Sequence, residues 1–372
     1  MSVGADVTLA AAARMSSPRK AVTESISEPE RRAAAASVRV AAAARIHLGF
    51  LDPSATLGRR FASLGLVIDG FDTCIEAFAP GTGVGAAAPV IEASAAAAAA
   101  DGEALGRMQK HVATLQEATG CSAPIGLRLL AAPPAHSGFG SGTQLALATG
   151  RAFCRFHGIE LPTRELAVLL GRGKRSGVGV AGFDRGGLLL DGGPAPGGAA
   201  APVLARIDFP AEWRVLLVLD PRIDGLSGVA ERAALGSLPP FEQAHAATLC
   251  HQVLMRILPA AIEADFAEFA DGISFVQTLI GDYFAPAQGG SMYTSAAVGR
   301  ALEWMRAQGV SGIGQSSWGP TGFAMLPSAA AAEAALAAAR AAGVLDPALQ
   351  TVVVRGRNRG ADIDDPADRA GA

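Results

Sequence analysis

"APPAHSGFGSGTQLALATG", residues 132–150, sets two prolines, a run of glycines and hydroxyls, and an apolar stretch in direct succession. Six of the residues from Ser137 to Thr143 are small or hydroxylic, so successive backbone N–H groups are uncovered and free to converge on an anion. Pro133 and Pro134 exclude a helix upstream, whereas Gln144 to Phe153 reads as helical. The loop is therefore expected at a helix N-terminus, where the dipole favours a phosphate. It is not a Walker sequence, because no Lys-Ser or Lys-Thr pair follows the last glycine, and it is not a G-x-G-x-x-G opening.

Working outward, "IGLRLLAAPP" (125–134) is a strand leading into the loop. Residues 101–120 carry Leu105, Met108, Val112 and Leu115 at helical spacing. Upstream, "VRVAAAARIHLGFLD" (38–52) and "LGLVIDGFDTCIEAFAP" (64–80) read as buried strands. The alanine-rich stretch Ala86 to Ala100 reads as helix. Downstream, Leu161-Pro162-Thr163 opens a helix whose body runs from Glu165 to Leu170, and a glycine-rich segment follows. "GPAPGGAAAP" (193–202) reads as a flexible connection and sets the domain boundary. Beyond it come a strand, "WRVLLVLD", and helices over 241–258, 263–279 and 295–307. A turn and strand in "GVSGIGQSSWGPTGFAMLP" and a helix over 329–342 complete this half. Strands mixed with helix pairs imply α+β rather than regular βα alternation. The expected division is a disordered leader (1–36), an N-terminal domain (37–200), a C-terminal domain (201–345) and a loose acidic tail (346–372).

The chain has 372 residues, half of them hydrophobic, which is enough apolar material for two domains. A net charge of −3 and 5% aromatic content argue against nucleic acid as a partner. Cys74, Cys121, Cys154 and Cys250 stand far apart with no C-x-x-C pair, so neither a zinc site nor a disulfide framework is signalled, and a cytoplasmic location is expected. The leader lacks the apolar core of a signal peptide, and no stretch is long and apolar enough to suggest a membrane partner.

Four segments concentrate glycine with charge or hydroxyl between apolar runs: 45–60, 132–144, 171–193 and 309–323. Each alone is ordinary turn chemistry; four together point to one shared site. In the first, Asp52 and Arg59 or Arg60 flank a Pro-Ser turn. They read either as a carboxylate and a cation facing one space or as an Asx turn with exposed arginines. In the third, Arg172, Lys174 and Arg175 place three cations within four residues, beside Ser176, as suits a phosphorylated ligand. His47 lies inside a strand and reads as a buried histidine with its hydrogen bonds made rather than as a base. His136 lies in the loop, within reach of a phosphate or a leaving group, and Trp318 reads as a pocket wall or core.

These segments resemble the GHMP superfamily, and within it the β-ribofuranosylaminobenzene 5′-phosphate synthase family, over residues 38–345. "RIHLGFLDPSATLGRRFASLGL" is similar to that family's N-terminal strand and loop, and "PPAHSGFGSGTQLALA" to its phosphate loop. "GRGKRSGVGVAGFDRGGLLLDGG" resembles its central motif and "GIGQSSWGPTGFA" its third motif. The resemblance implies an N-terminal ribosomal-protein-S5-like domain and a C-terminal ferredoxin-like one with the ligand between them, and a homodimer. The implied activity condenses 5-phosphoribosyl 1-diphosphate with 4-aminobenzoate, or 4-hydroxybenzoate in some members, releasing pyrophosphate and CO2 in tetrahydromethanopterin biosynthesis. Mg²⁺ is expected and no organic cofactor. On this map, catalytic roles fall to Asp52 (with Mg²⁺ or the ribose), Arg59, His136 and Lys174. Substrate binding falls to Ser137, Gly138, Gly140, Ser141, Gly142, Thr143, Gln144, Arg172, Arg175 and Ser176, with Gln315, Ser316, Ser317 and Trp318 completing an aromatic pocket.

The resemblance to GHMP kinases is less close. Their Ser-Gly-Val/Ile-Asp carries a catalytic aspartate where this chain reads Ser176-Gly177-Val178-Gly179. A hydroxyl acceptor would lose its usual base here. An ATP-dependent small-molecule kinase, with Asp184 or Asp191 as substitute base, is the alternative reading, and a non-catalytic ligand-binding relative is the third.

Overall fold

The structure, a computed structural model, describes residues 37–81, 89–97, 102–196, 200–226 and 228–365; the leader expected at 1–36 lies outside them. In chain order the strands are β1 (Ser37–Ala42), β2 (Arg45–Asp52), β3 (Phe61–Val67), β4 (Thr73–Phe78), β5 (Val90–Ala93), β6 (Gly126–Ala131), β7 (Leu188–Asp191), β8 (Val203–Ile207), β9 (Arg214–Leu219), β10 (Ile313–Gln315), β11 (Thr321–Leu326), β12 (Gln350–Val354) and β13 (Asp362–Asp364). The helices are α1 (Gly102–Thr119), α2 (Ser141–Phe156), α3 (Thr163–Leu169), α4 (Val178–Arg185), α5 (Gly228–Ser237), α6 (Gln243–Gln252), α7 (Leu258–Glu263), α8 (Phe266–Phe284), α9 (Ala296–Ala307) and α10 (Ala329–Ala341). A π turn over Val253–Ile257 joins α6 to α7.

The strands form three sheets, in the orders β13-β1-β4-β6-β5, β2-β3-β7-β8 and β10-β11-β9-β12. Helix α2 lies across β1 and β4 with α1 beside it. Met108, Val112 and Leu115 of α1 meet Leu145, Ala148 and Phe153 of α2 in one buried cluster, as the helical spacing demands. The second sheet is covered on both faces, by α4 and by α8, and the interior residues of β2 and β3 are correspondingly apolar without alternation, except for the buried His47 and Ser63. Close cover needs small residues: a Cβ on Gly65 would stand 2.7 Å from Val178 Cγ1. In the third sheet β9 divides its side chains by parity. Leu216 and Val218 pack with α9 and α10, while Val215 and Leu217 enter the core around α8.

Three expectations are corrected. Residues 90–93, read as part of an alanine-rich helix, form β5 parallel to β6, and among the described residues of that stretch Ala95–Ala97 turn helically; backbone pairing on a free sheet edge overrides alanine's helical propensity. The segment at 193–202 is not a boundary between sheets, because β7 and β8 on either side of it pair antiparallel, Leu188 opposite Ile207. The tail after Leu345 is not loose over its described length. β12 pairs with β9 in the third sheet, and β13 returns to pair with β1 in the first. Sheet edges recruit these strands through backbone hydrogen bonds, and of the three β12 alone carries a β-branched run, Thr351 to Val354.

Candidate active site

The loop after β6 is built from left-handed backbone. His136 has φ 55°, Gly138 88° and Gly140 71°, and Gly140 is the N-cap of α2. No side chain caps this terminus, and Ser141, Gly142 and Thr143 line a cleft of about 970 Å³. Three guanidinium groups stand over it. A Cβ on Gly140 would lie 3.1 Å from Arg45 Cζ, and one on Gly142 would lie 3.5 Å from Arg172 Nη1 and 3.7 Å from Arg107 Nη1. Arg45 Nη1 donates to the Gly138 carbonyl (2.8 Å), but the Nε of Arg45, Arg107 and Arg172 is in each case buried without a hydrogen-bond partner. Burial lowers Arg45 to about 10, against the attraction of Glu231, and lowers Arg172, with Arg107 adding repulsion. Such a cluster is costly unless an anion supplies the missing acceptors.

The third segment runs along the same cleft, contributing Arg172, Lys174, Arg175 and Ser176. Arg175 pairs with Glu231 of α5. Ser176 Oγ donates to Asp191 Oδ2 (3.1 Å), which also accepts from Ser63 Oγ (2.5 Å) and Gly177 N (2.8 Å), while Gly193 N donates to Oδ1 (2.8 Å). Burial raises the Asp191 pKa and these four donors pull it back down. Asp191 is thus a buried anchor for Ser176 behind the cleft wall. Asp184, which accepts from Thr163 Oγ1 (2.5 Å), does not line the cleft. Neither aspartate considered as a kinase base is placed to serve one.

The turn between β10 and β11 closes the other side. Ser316 Oγ donates to the Gly138 carbonyl (2.7 Å) and accepts from His47 N (2.9 Å), and Leu226 N donates to the Trp318 carbonyl (3.2 Å). Behind Trp318 lies a small recess of about 30 Å³, walled by Phe50, Ile280, Phe284, Met292 and Trp318. It shares His47, Phe50, Ser317 and Trp318 with the cleft. Its amides are engaged. Gln277 bonds the Leu48 carbonyl and Gln315 N (both 2.8 Å); Gln315 takes Thr294 N (2.6 Å) and donates to Gln288 Oε1 (2.9 Å) and the Ser317 carbonyl (3.0 Å).

His47 differs from its expectation. The β2–β3 register slips between His47 and Gly49, a bulge that re-aims the imidazole. Nδ1 accepts from Gly49 N (3.3 Å), but the buried Nε2 has no partner and the ring lines both cavities. Burial, with Arg45 adding repulsion, lowers its pKa to about 3.

Of the residues singled out from the sequence, His136, Gly138, Gly140, Ser141, Gly142, Thr143, Arg172, Lys174, Arg175, Ser176, Ser317 and Trp318 line the cleft, and Gln315 lines the recess. Ser137, Gln144 and Ser316 lie behind the surface. Ser137 Oγ donates to the Pro134 carbonyl (2.6 Å) and Gln144 Nε2 to the Gly179 carbonyl (3.0 Å). Asp52 and Arg59 are not brought in. Asp52 takes Ser54 N (3.1 Å), Thr56 N and Thr56 Oγ1 (both 2.7 Å) within its own Asx turn, and Arg59 donates to the Gly193 carbonyl (3.0 Å). Arg60 lines the cleft instead, its guanidinium 5.1 Å from the Phe61 ring centroid. Sequence reasoning did not single out Arg45 or Arg107, and it read His47 as a buried histidine with its hydrogen bonds made. The Arg-x-His pair at the head of an apolar strand was the available signal for Arg45 and His47; Arg107 sits on a helix where Gln109, Lys110 and Glu117 face solvent. Among the described residues no group of three or more His, Cys, Asp or Glu is placed to hold a metal, and the acidic side chains lining the cleft are Glu103 and Glu231. No helix among them is long and apolar enough to cross a membrane.

Comparison with known proteins agrees with this geometry. The family GHMP kinases N terminal domain matches residues 103–187, and GHMP kinases C terminal matches 257–345. The β-ribofuranosylphenol 5′-phosphate synthase of Archaeoglobus fulgidus is 32% identical over 342 residues, covering 88% of this chain and 99% of the relative. That of Methanothermobacter thermautotrophicus is 34% identical over 241 residues, covering 61% and 70%. The fold is shared with homoserine kinase from Cytophaga hutchinsonii (TM-score 0.61, 15% identity, covering 88% of this chain and 98% of that one). Mevalonate diphosphate decarboxylase from Staphylococcus aureus also shares it (TM-score 0.61, 12% identity, 88% and 98%). The chain belongs to the β-ribofuranosylphenol 5′-phosphate synthase family, and is a transferase with the two-domain α+β fold of the GHMP superfamily.

Proposed function

We propose that this enzyme joins 5-phosphoribosyl 1-diphosphate to a para-substituted benzoate, 4-hydroxybenzoate or 4-aminobenzoate, releasing pyrophosphate and CO2. The observation that carries the reading is the cluster of buried, incompletely partnered arginines over an uncapped helix N-terminus, next to an apolar recess. The cleft is lined by Arg45, Arg60, Arg107, Arg172, Lys174, Arg175 and Arg232 against Glu103 and Glu231, a balance suited to a ligand with several phosphate charges. Its volume of about 970 Å³ is ample for a phosphoribosyl diphosphate. The names of the curated relatives, which specify a ribofuranosylphenol phosphate product, support the same chemistry.

In this reaction the bond from the anomeric carbon to the diphosphate breaks with its electron pair leaving on pyrophosphate, and the sugar becomes oxocarbenium-like. Arg45, Arg107, Arg172 and the N–H groups at Ser141 to Thr143 stabilise that leaving charge. The benzoate carbon bearing the carboxylate attacks the anomeric carbon from the opposite face. The bond to CO2 then breaks, its electron pair restoring the aromatic ring. The roles of His136 and Lys174 are contacts to the diphosphate along the same wall. Glu103 lies 3.8 Å from Arg107 Nε and 3.5 Å from His136 Nε2, Glu231 pairs with Arg175, and Asp52 is engaged with its own turn, so these side chains do not make a resident magnesium site. Magnesium belongs with the diphosphate as part of the substrate. The product of this reaction is a precursor of the kind required for tetrahydromethanopterin.

The kinase alternative is disfavoured by the missing base: position 179, where the kinases carry their aspartate, is glycine, and neither Asp184 nor Asp191 lines the cleft. The test is incubation with 5-phosphoribosyl 1-diphosphate, Mg²⁺ and each carboxyl-labelled benzoate. Labelled CO2 whose release depends on the diphosphate is expected. No release with either acid would overturn the reading, and ATP consumption with an alcohol acceptor would replace it with the kinase.

A further inference from the structure

The recess behind Trp318 has a place in that chemistry, provided the transfer reading holds. The ring carbon that attacks the sugar also bears the carboxylate, so this end of the acceptor faces the cationic cleft. The para substituent lies at the opposite end of the ring and points away from the phosphates, toward the recess. At about 30 Å³ the recess holds a single substituent and not a ring. Phe50, Phe284 and Trp318 form its aromatic mouth, with Phe284 and Trp318 ring centroids 4.7 Å apart.

The polar atoms in this recess are mostly committed. Gln277 and Gln315 bond to backbone and to each other's segment, and Gln288 Oε1 accepts from both Gln315 Nε2 (2.9 Å) and Thr294 Oγ1 (3.0 Å). Of the buried side-chain polar atoms that line it, His47 Nε2 is without a partner. Because Nδ1 accepts from Gly49 N, the proton of the neutral ring is on Nε2. The imidazole therefore presents a donor and no acceptor. A phenol oxygen has lone pairs to receive it. An aniline nitrogen delocalises its lone pair into the ring and would set N–H against N–H.

We propose that His47 is a specificity-determining residue whose Nε2–H donates to the para oxygen of the acceptor, so that the enzyme selects 4-hydroxybenzoate over 4-aminobenzoate. A buried donor left unpaired by the wrong substituent is the physical source of the discrimination.

The experiment is kcat/KM for both acids at saturating 5-phosphoribosyl 1-diphosphate, in the wild type, His47→Leu and His47→Gln. The wild type is expected to prefer the hydroxy acid by about tenfold or more. His47→Leu should bring the two acids close to parity by lowering the rate with the hydroxy acid, and His47→Gln, which keeps a donor, should retain part of the preference. Equal use of both acids by the wild type, or a proportional loss of both in His47→Leu, would overturn the proposal. Should the leucine variant fail to fold, calorimetric binding of phenol and of aniline to the wild type decides the matter. Tighter phenol supports the assignment, and equal or tighter aniline defeats it. Absence of turnover with either acid would defeat the transfer reading instead, and the phenol and aniline comparison would still test the donor.

Discussion

The cleft and the recess share four wall residues, His47, Phe50, Ser317 and Trp318, yet they are organised by opposite rules. In the cleft, the guanidinium groups of Arg45, Arg107 and Arg172 each keep a buried N–H without an acceptor. In the recess, Gln277 is tied to backbone and Gln315 to backbone and to Gln288 Oε1, and one buried imidazole N–H is without a partner. The first arrangement waits on an anion to complete it; the second is nearly complete and admits only a small group of suitable polarity. Charge thus selects what enters on one side, and shape with a single donor selects on the other.

Removing a cation tests this contrast most strongly. Arg172→Gln should lower kcat/KM for 5-phosphoribosyl 1-diphosphate by about 100-fold or more, while the KM of the benzoate moves far less. Steady-state kinetics with each substrate varied would check it, and equal losses on both would erase the division between the cavities.

The seam that holds the two sides together is the next target. Gly138 has φ 88°, and a Cβ there would stand 2.4 Å from the Ser316 carbonyl oxygen. Gly138→Ala should cost about 3 kcal/mol of stability, measured by urea denaturation, since both the backbone strain and the clash are with main chain. An unchanged midpoint would mean that the loop and the β10–β11 turn do not meet in solution.

Acid should sharpen the picture of the recess. The folded His47 pKa is lowered to about 3, so between there and the unfolded value near 6.5 the unfolded chain binds the extra proton. Stability therefore rises with pH across that window and falls on acidification, by about 2 kcal/mol from this group at pH 5 relative to pH 7. Urea denaturation of the wild type and His47→Gln at both pH values isolates the effect. Identical pH dependence in the two proteins would show that His47 is not held neutral.

The smallest effect is expected outside both cavities. Asp52 accepts three hydrogen bonds from its own turn on its two oxygens, of which asparagine keeps one as an acceptor, so Asp52→Asn should leave activity near wild type and cost about 1 kcal/mol of stability. Lost turnover with an intact fold would return Asp52 to the site.

The phosphate-type loop was legible because its signals are local. Pro133 and Pro134, the glycines that tolerate positive φ, and the apolar stretch beginning near Gln144 specify a strand, a tight loop and a helix N-terminus within nineteen residues. The strands β2, β3 and β9 were legible for a related reason, since burial on both faces requires a largely apolar run, interrupted here by His47 in β2 and Ser63 in β3. The edge strands β5, β12 and β13 were not. They are recruited by backbone bonds to partners far away in sequence; β5 and β13 carry little strand composition, and the β-branched run Thr351 to Val354 of β12 was a strand signal not used.

The same division runs through the site. By itself the sequence determined which chemistry was available: a phosphate-binding helix terminus, a cationic segment, a serine-rich turn beside a tryptophan, and the family to which the chain belongs. Only the tertiary structure decided which side chains were brought to bear. It turned Arg60 rather than Arg59 to the cleft, closed Asp52 into its own turn, set Asp191 behind Ser176, and buried Arg45, Arg107 and His47 with unpaired donors. The physical reason is that residue type carries donors, acceptors and charge, whereas facing and burial come from contacts between segments. The bulge at Gly49 and the pairing of residues 138 and 316 are such contacts, and the free energy of a buried polar group is set there.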